Sequence, residues 1–206
     1  MNDGVLSMAS IVASRDTVRI GDISDVVVYR PGIFKRNFVK NGIPYIKGSE
    51  IFLTSPFRKC EQLSKTRTPF IDAMSLKDGQ VLITCAGSVG EVKMITKQFQ
   101  DNCSIGSQDI IRLESSNQLL TKEYLFVYLQ LPFVFDYVQS MKYGSVIERI
   151  EPFHVESIPV VVPTVEISSS ISELVKEYRS MTYEAYLLEE QAITMLEAEI
   201  EKWNKQ

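Results

Sequence analysis

Residues 165–203 read VEISSSISELVKEYRSMTYEAYLLEEQAITMLEAEIEKW, and the spacing of their apolar side chains decides the fold. Ile167, Ile171, Leu174, Tyr178, Met181, Ala185, Leu188 and Ala192 recur at alternating steps of four and three. Such steps put side chains on one stripe of an α-helix, and their regular alternation is the a/d seam of a coiled coil. Past Ala192 the stripe runs on through Leu196, Ile200 and Trp203. The extra step of four is a stutter, which locally relaxes a supercoil. No Gly or Pro interrupts the run, so a single helix of roughly 58 Å is predicted. A stripe of that length calls for a partner along it, because core helices of globular domains usually stop sooner. The alternative is an amphipathic helix folded back on its own domain.

Working outward from this arm, the chain divides into a leader (1–15), a domain (16–163) and the helical segment (164–206). The expected fold class is α+β, a mostly β domain followed by one long coiled-coil helix. The domain is long enough to bury a core of its own. Asp16–Ile23 is expected to give a short strand and a turn at Gly21-Asp22. The β-branched run Val26–Tyr29 and the apolar stretch Ile43–Ile46 read as strands, the latter after a tight turn at Asn41-Gly42. Residues 52–70 have no apolar period and read as a long, exposed, basic loop. Val81–Thr84 and Glu91–Ile95 form a hairpin around Gly87-Ser88-Val89-Gly90. That turn lacks the Lys-Ser/Thr and following helix of a phosphate loop, so it reads as structural. Asp109–Leu113 is a further strand. Thr121 is an N-cap for a helix through Leu129, Pro132 restarts it to Met141, and Gly144 is a stop signal. A last β-branched run, Ile158–Val162, leads to Thr164 as the cap of the long helix.

Charge is divided unevenly. The chain carries net −4, which looks wrong for a protein that binds nucleic acid. Yet from Thr164 onward there are nine acidic and four basic residues, leaving 17 and 18 in the remainder, a net of +1. Between Tyr29 and Phe70, Arg30, Lys35, Arg36, Lys40, Lys47, Arg58, Lys59, Lys65 and Arg67 face only Glu50 and Glu61. Local potential rather than the whole-chain sum attracts phosphates. A solvated face with scattered bases is the competing reading.

Catalytic signals are poor. Cys60, Cys85 and Cys103 lack metal-type spacing, and His154 is the single histidine. This argues against a Cys/His zinc site and for a reducing compartment. His154 reads as a structural hydrogen-bonder; a hydrolase using Cys85 or Cys103 is a remote alternative. The Met1-Asn2-Asp3-Gly4 start lacks a basic n-region, and no apolar run reaches membrane-spanning length. A cytoplasmic protein without membrane or cofactor is expected.

The order of several segments carries a resemblance. Ile20-Gly21-Asp22-Ile23, Ile43-Pro44-Tyr45-Ile46, Asp78–Ile83 with Gly87–Gly90, Tyr124-Leu125, Tyr143-Gly144-Ser145 and Ile158–Pro163 lead in turn to the long helix. From Val18 onward the chain resembles the target-recognition domain and conserved helix of specificity subunits of type I restriction–modification systems. The resemblance implies a non-catalytic subunit that reads half of a bipartite site in double-stranded DNA. It also implies docking to a modification (methyltransferase) subunit, with a restriction subunit as a further partner. S-adenosylmethionine and ATP would be bound on those partners. The chain matches half of such a subunit, with Ser168-Ser169-Ser170 where a Glu/Gln-rich turn is usual. Antiparallel pairing of two long helices in a homodimer would rebuild a two-domain subunit. A detached recognition domain of a fused restriction enzyme–methylase or phage-defence methylase, and a coiled-coil adaptor without a DNA role, are the alternatives.

On this reading the DNA-contact candidates are Arg30, Lys35, Arg36, Lys47, Arg58, Lys59, Lys65 and Arg67. To these Gln108 is added as a possible reader of an adenine edge, or equally a buried structural amide. The resemblance adds Lys142, Tyr143 and Ser145, and it places base reading within residues 55–69. Arg and Lys suit phosphates, whereas Arg, Gln and hydroxyl side chains also suit base edges.

Overall fold

The structure, a computed structural model, describes residues 3–203. Met1, Asn2 and residues 204–206, which belong to the expected leader and arm, lie outside the described residues. The chain opens with helix α1 (Asp3–Ser14), strand β1 (Thr17–Arg19), a 3-10 turn at Ile20–Asp22 and strand β2 (Val26–Tyr29). Strands β3 (Phe38–Ile46) and β4 (Glu61–Leu63) and helix α2 (Ile71–Met74) precede the hairpin of β5 (Val81–Thr84) and β6 (Val92–Met94). Helix α3 (Lys97–Asp101) and strands β7 (Ile105–Gly106) and β8 (Ile110–Ser115) follow. The chain then forms α4 (Lys122–Leu129), α5 (Pro132–Ser140), α6 (Pro152–Glu156), β9 (Pro159–Val161) and α7 (Val165–Trp203).

The central sheet has the order β2-β8-β5-β6 and is antiparallel throughout. Every residue of β5 is buried, so side chains alternating along it fill two different cores. Val81 and Ile83 face Leu125, Leu129, Val134 and Val138 of α4 and α5. Leu82 packs on the other side with Ile46, Ile51, Ile95 and Phe99. A second sheet, β4-β3-β7, pairs β3 with β7 in parallel. The ribbon of β1 and β9 ties the two ends of the domain together.

Arg112 sits where these layers meet. It is fully buried, and its guanidinium donates to the carbonyls of Ile110 (2.9 Å), Gly106 (3.0 Å) and Met74 (3.3 Å). Burial pulls its pKa down to about 10. Three carbonyl acceptors offset part of the desolvation cost, so Arg112 cross-links β8, β7 and α2 without a carboxylate.

Local signals act as their chemistry dictates. The Thr121 side chain accepts from the Tyr124 amide (3.1 Å) and caps α4. Gly87 and Gly90 adopt positive φ in the β5–β6 turn, where other residues are strained. His154 Nδ1 accepts from the Glu151 amide (2.9 Å) in a capping box that opens α6. Two expectations are corrected. Asn41-Gly42 is not a hairpin turn: both lie inside β3, where the register with β4 shifts between Phe38 and Ile43. Gly42 is required there because a Cβ would run into the Leu63 carbonyl. Residues 52–70 are not a bare loop, since β4 crosses them and buries Leu63 fully.

The long helix α7 spans 39 residues and lies along the domain. Ser168 Oγ donates to the Leu119 carbonyl (2.6 Å), and Ser172 meets Thr121 hydroxyl to hydroxyl (3.0 Å). The small serines therefore permit close approach to α4. Arg179 pairs with Asp78 (2.6 Å) and lies 3.7 Å from Glu123. Tyr183 donates to Asp101 (2.6 Å), Asn102 donates to the Tyr186 hydroxyl (3.1 Å), and Arg58 reaches Glu190 and Glu197. This inner face is mostly polar. The expected seam lies beside it, about 120° around the axis at 3.6 residues per turn. Leu174, Met181 and Leu188 are 67%, 62% and 60% exposed, and Ile167, Tyr178, Ala185, Ala192, Leu196 and Ile200 are exposed too. Ile171 departs from the expectation: it packs against the main core.

Candidate nucleic-acid interface

The β5–β6 turn builds the edge of a polar cleft. Thr84 Oγ1 donates to the Ser88 carbonyl and accepts from the Glu91 amide (3.1 Å), while the Gly90 amide returns to the Thr84 carbonyl (2.9 Å). The turn is thereby held rigid. Gly48, Ser49, Ser107 and Asp109 line the cleft with it, and so do Arg36 and Lys47. Serine hydroxyls donate or accept, and the Asp109 carboxylate accepts from exocyclic amino groups of bases. The set is suited to reading base edges under a phosphate-attracting rim.

A second turn stands beside the cleft. Tyr143 and Arg149 exchange backbone hydrogen bonds (3.1 and 2.9 Å), and Arg149 also bridges to Ala86. At its tip Ser145 is exposed and Val146 is 93% exposed. Gly144 holds φ +104°, which this reversal requires.

The basic candidates divide into two groups. Four are engaged. Arg30 pairs with Glu151 (2.8 Å), both side chains largely shielded from solvent. Lys47 pairs with Glu61 (2.7 Å), which raises the lysine pKa through the shared hydrogen bond. Lys142 is held by Glu148. Arg58 forms a fork on Glu190, through Nε (3.3 Å) and Nη2 (2.8 Å), and extends Nη1 to Glu197 (2.9 Å). The Arg58 guanidinium and the Ser55 hydroxyl hold the Glu190 carboxyl below the usual carboxylate range. By contrast Lys35, Arg36, Lys59, Lys65 and Arg67 are exposed and make no ion pair among the described residues. Ser64 donates through its amide to Asn37 (2.9 Å), which brings the 35–40 and 64–67 segments, and four of these five cations, to one end of the β3–β4 ladder.

Tyr143 donates to Glu151 (3.0 Å) and stacks on His154, so it braces the turn. Gln108 is 8% exposed and its Oε1 has no partner among the described residues. Asp109, Ser49, Ser88 and Ser107 do not stand out in the sequence. Their one signal is the glycine-flanked turn at residues 87–90, which gives no hint of what faces it.

No cluster of three His, Cys, Asp or Glu among the described residues could hold a metal ion. Burial pushes the Cys85 thiol up to about 11, far from a reactive thiolate. No helix among the described residues is long and apolar enough to cross a membrane.

Residues 15–194 match the type I restriction modification DNA specificity domain family, and the chain belongs to that family. Its members are non-catalytic specificity domains for DNA sequence. No curated protein matches the chain. Among solved structures, the chain is similar to the type I restriction-modification S subunit from M. genitalium (TM-score 0.50, 14% identity), covering 78% of this chain and 38% of that one. It is also similar to the HsdS subunit from Thermoanaerobacter tengcongensis (TM-score 0.52, 17% identity; 92% and 46%). A third similarity is to a chain of a type I R-M system whose assembly and conformational transition have been described (TM-score 0.53, 18% identity; 95% and 50%). These likenesses are of fold. The chain spans half or less of the length of each of these proteins.

Proposed function

We propose that the domain reads one half of a bipartite site in double-stranded DNA through the cleft at residues 84–90 and the adjoining turn at 143–149. On this reading α7 pairs through its apolar seam with a second such helix, antiparallel and from an identical chain. The paired helices space the two half-sites and dock the adenine methyltransferase subunit. S-adenosylmethionine belongs to that subunit, and ATP to a restriction subunit where one joins; the assembly works in the cytoplasm.

The observation that carries the reading is the segregation of charge. Four exposed cations without ion-pair partners among the described residues, Lys35, Arg36, Lys65 and Arg67, gather at one end of the β3–β4 ladder, and Arg36 among them lines the polar cleft, while the acidic surplus lies on α7. The test is binding of a random-sequence duplex at several salt concentrations. For wild-type protein log K falls linearly with log salt. Replacing Arg36, Lys65 and Arg67 by Ala should lower the slope by about 0.9 for each phosphate that is no longer neutralised. An unchanged slope, with the fold intact, removes these residues from the DNA face. A chain that dimerises without salt-dependent DNA binding is a coiled-coil adaptor instead.

A further inference from the structure

Arg58 is the most thoroughly engaged of the basic DNA-contact candidates, and both carboxylates it grips lie on the far half of α7. The helix is pinned near its start by Ser168, Ser172 and Arg179. From Arg179 to Trp203 it runs about 36 Å further at 1.5 Å per residue. Over such a lever a tilt of roughly 5–6° moves the tip by one base-pair rise of about 3.4 Å. The near-end contacts are largely buried but span only about 17 Å of helix, less than half the lever beyond them, so they define the angle of the far half less well.

The far half is held by a separate set of contacts. In the middle, Tyr183 bonds to Asp101 with Lys97 over its ring (5.2 Å), and Tyr186 accepts from Asn102. At the end, Ser55 donates to Glu190 (2.6 Å) and Arg58 spans Glu190 and Glu197, two turns of helix apart. The segment that carries Arg58 is itself anchored. Phe57 wedges edge-on between Phe99 and Tyr186, and the Lys59 and Cys60 amides fold back on the Pro56 carbonyl. A planar guanidinium that grips both oxygens of one carboxylate and a second carboxylate fixes direction as well as distance.

We infer that Arg58, clasping Glu190 and Glu197, is a positioning residue that sets the angle of α7 against the recognition domain and thereby the spacer length accepted between two half-sites. The spacer part rests on the paired-helix reading above; the clasp does not. Arg58 then acts on DNA specificity without touching DNA.

Two readouts on the full chain separate the possibilities. The first is the distance distribution between spin labels at Cys103, which is exposed, and at Glu201→Cys, in a Cys60→Ser background diluted into unlabelled chain. The second is the spacer recovered when the chain selects from a randomised duplex library. Wild type should give a narrow distance and one spacer. Arg58→Ala, and independently Glu197→Gln on the exposed flank, should broaden the distance and lose the single spacer while keeping the half-site sequence. If Arg58→Ala leaves distance and spacer as in wild type, the clasp is overturned. If it weakens binding to each half-site with the spacer unchanged, Arg58 is a DNA contact and the clasp is equally overturned. If wild type selects no paired half-sites yet the substitution broadens the distance, the clasp stands and the paired-helix reading fails.

Discussion

Leu188→Ala isolates the uncovered seam of α7. Leu188 is 60% exposed in the single chain, so much of its side chain remains to be buried on pairing. Truncation to Ala removes three carbons, and at about 0.8 kcal/mol per buried CH₂ the exposed share is worth about 1.4 kcal/mol. A symmetric pair meets the substitution twice, so the dimer should weaken by about 3 kcal/mol, or roughly 150-fold in Kd. Leu and Ala are close in helix propensity, and surface substitutions shift stability by about 0.5 kcal/mol or less, so the monomer should unfold as before. Sedimentation equilibrium measures the first quantity and urea unfolding at a concentration below Kd the second. Gln191→Ala, exposed and off both faces, is the control. An unchanged Kd for Leu188→Ala, or a wild-type chain that stays monomeric at high concentration, refutes the pairing of seams.

Three further outcomes follow from named residues. Thr121→Ala removes the cap on the Tyr124 amide and the contact with Ser172; it should lower stability by about 1 kcal/mol or somewhat more, read as a lower urea midpoint at unchanged slope. Burial raises the Cys85 thiol to about 11 and the Tyr128 phenol to about 12. In the unfolded chain they ionise near their ordinary values, about 8.5 and about 10. The folded state then holds more protons, so stability should fall as pH rises above about 8.5, through Cys85 first and through Tyr128 above about 10. Over the same range a thiol reagent should label Cys103 quickly and Cys85 only on unfolding. Rapid labelling of Cys85 in the folded chain would contradict its burial.

Much of the architecture is legible in the sequence because it is local. The run Val26–Tyr29, the glycines at 87 and 90, the Thr121 cap and the absence of breakers in α7 each act within a few residues. What escapes depends on partners far along the chain. The parallel pairing of β3 with β7 joins residues some sixty positions apart, and Gly42 mimics a turn signal although it is the close approach of the Leu63 carbonyl that requires a glycine there. In α7 the apolar stripe is plain in the spacing, but not which stripe faces the domain. A polar inner face of Ser168, Ser172, Arg179 and Tyr183 leaves no trace in hydrophobic periodicity. The same holds for the candidate site: a lysine count locates a basic stretch, whereas the carboxylates opposite Arg30, Arg58 and Lys142 decide which cations stay available.

The two faces of α7 place a rule on how its length can change. Inserting one residue after Arg179 turns everything beyond it by about 100°. The far seam, Ala185 to Ile200, would swing toward the domain, and Tyr186, Glu190 and Glu197 would turn into solvent. Insertions of seven or eleven residues rotate the far half by only about 20° either way. Related chains that differ in the length of this helix should therefore differ by such quanta, and a frame of one or two residues marks a helix that has lost either its domain or its partner.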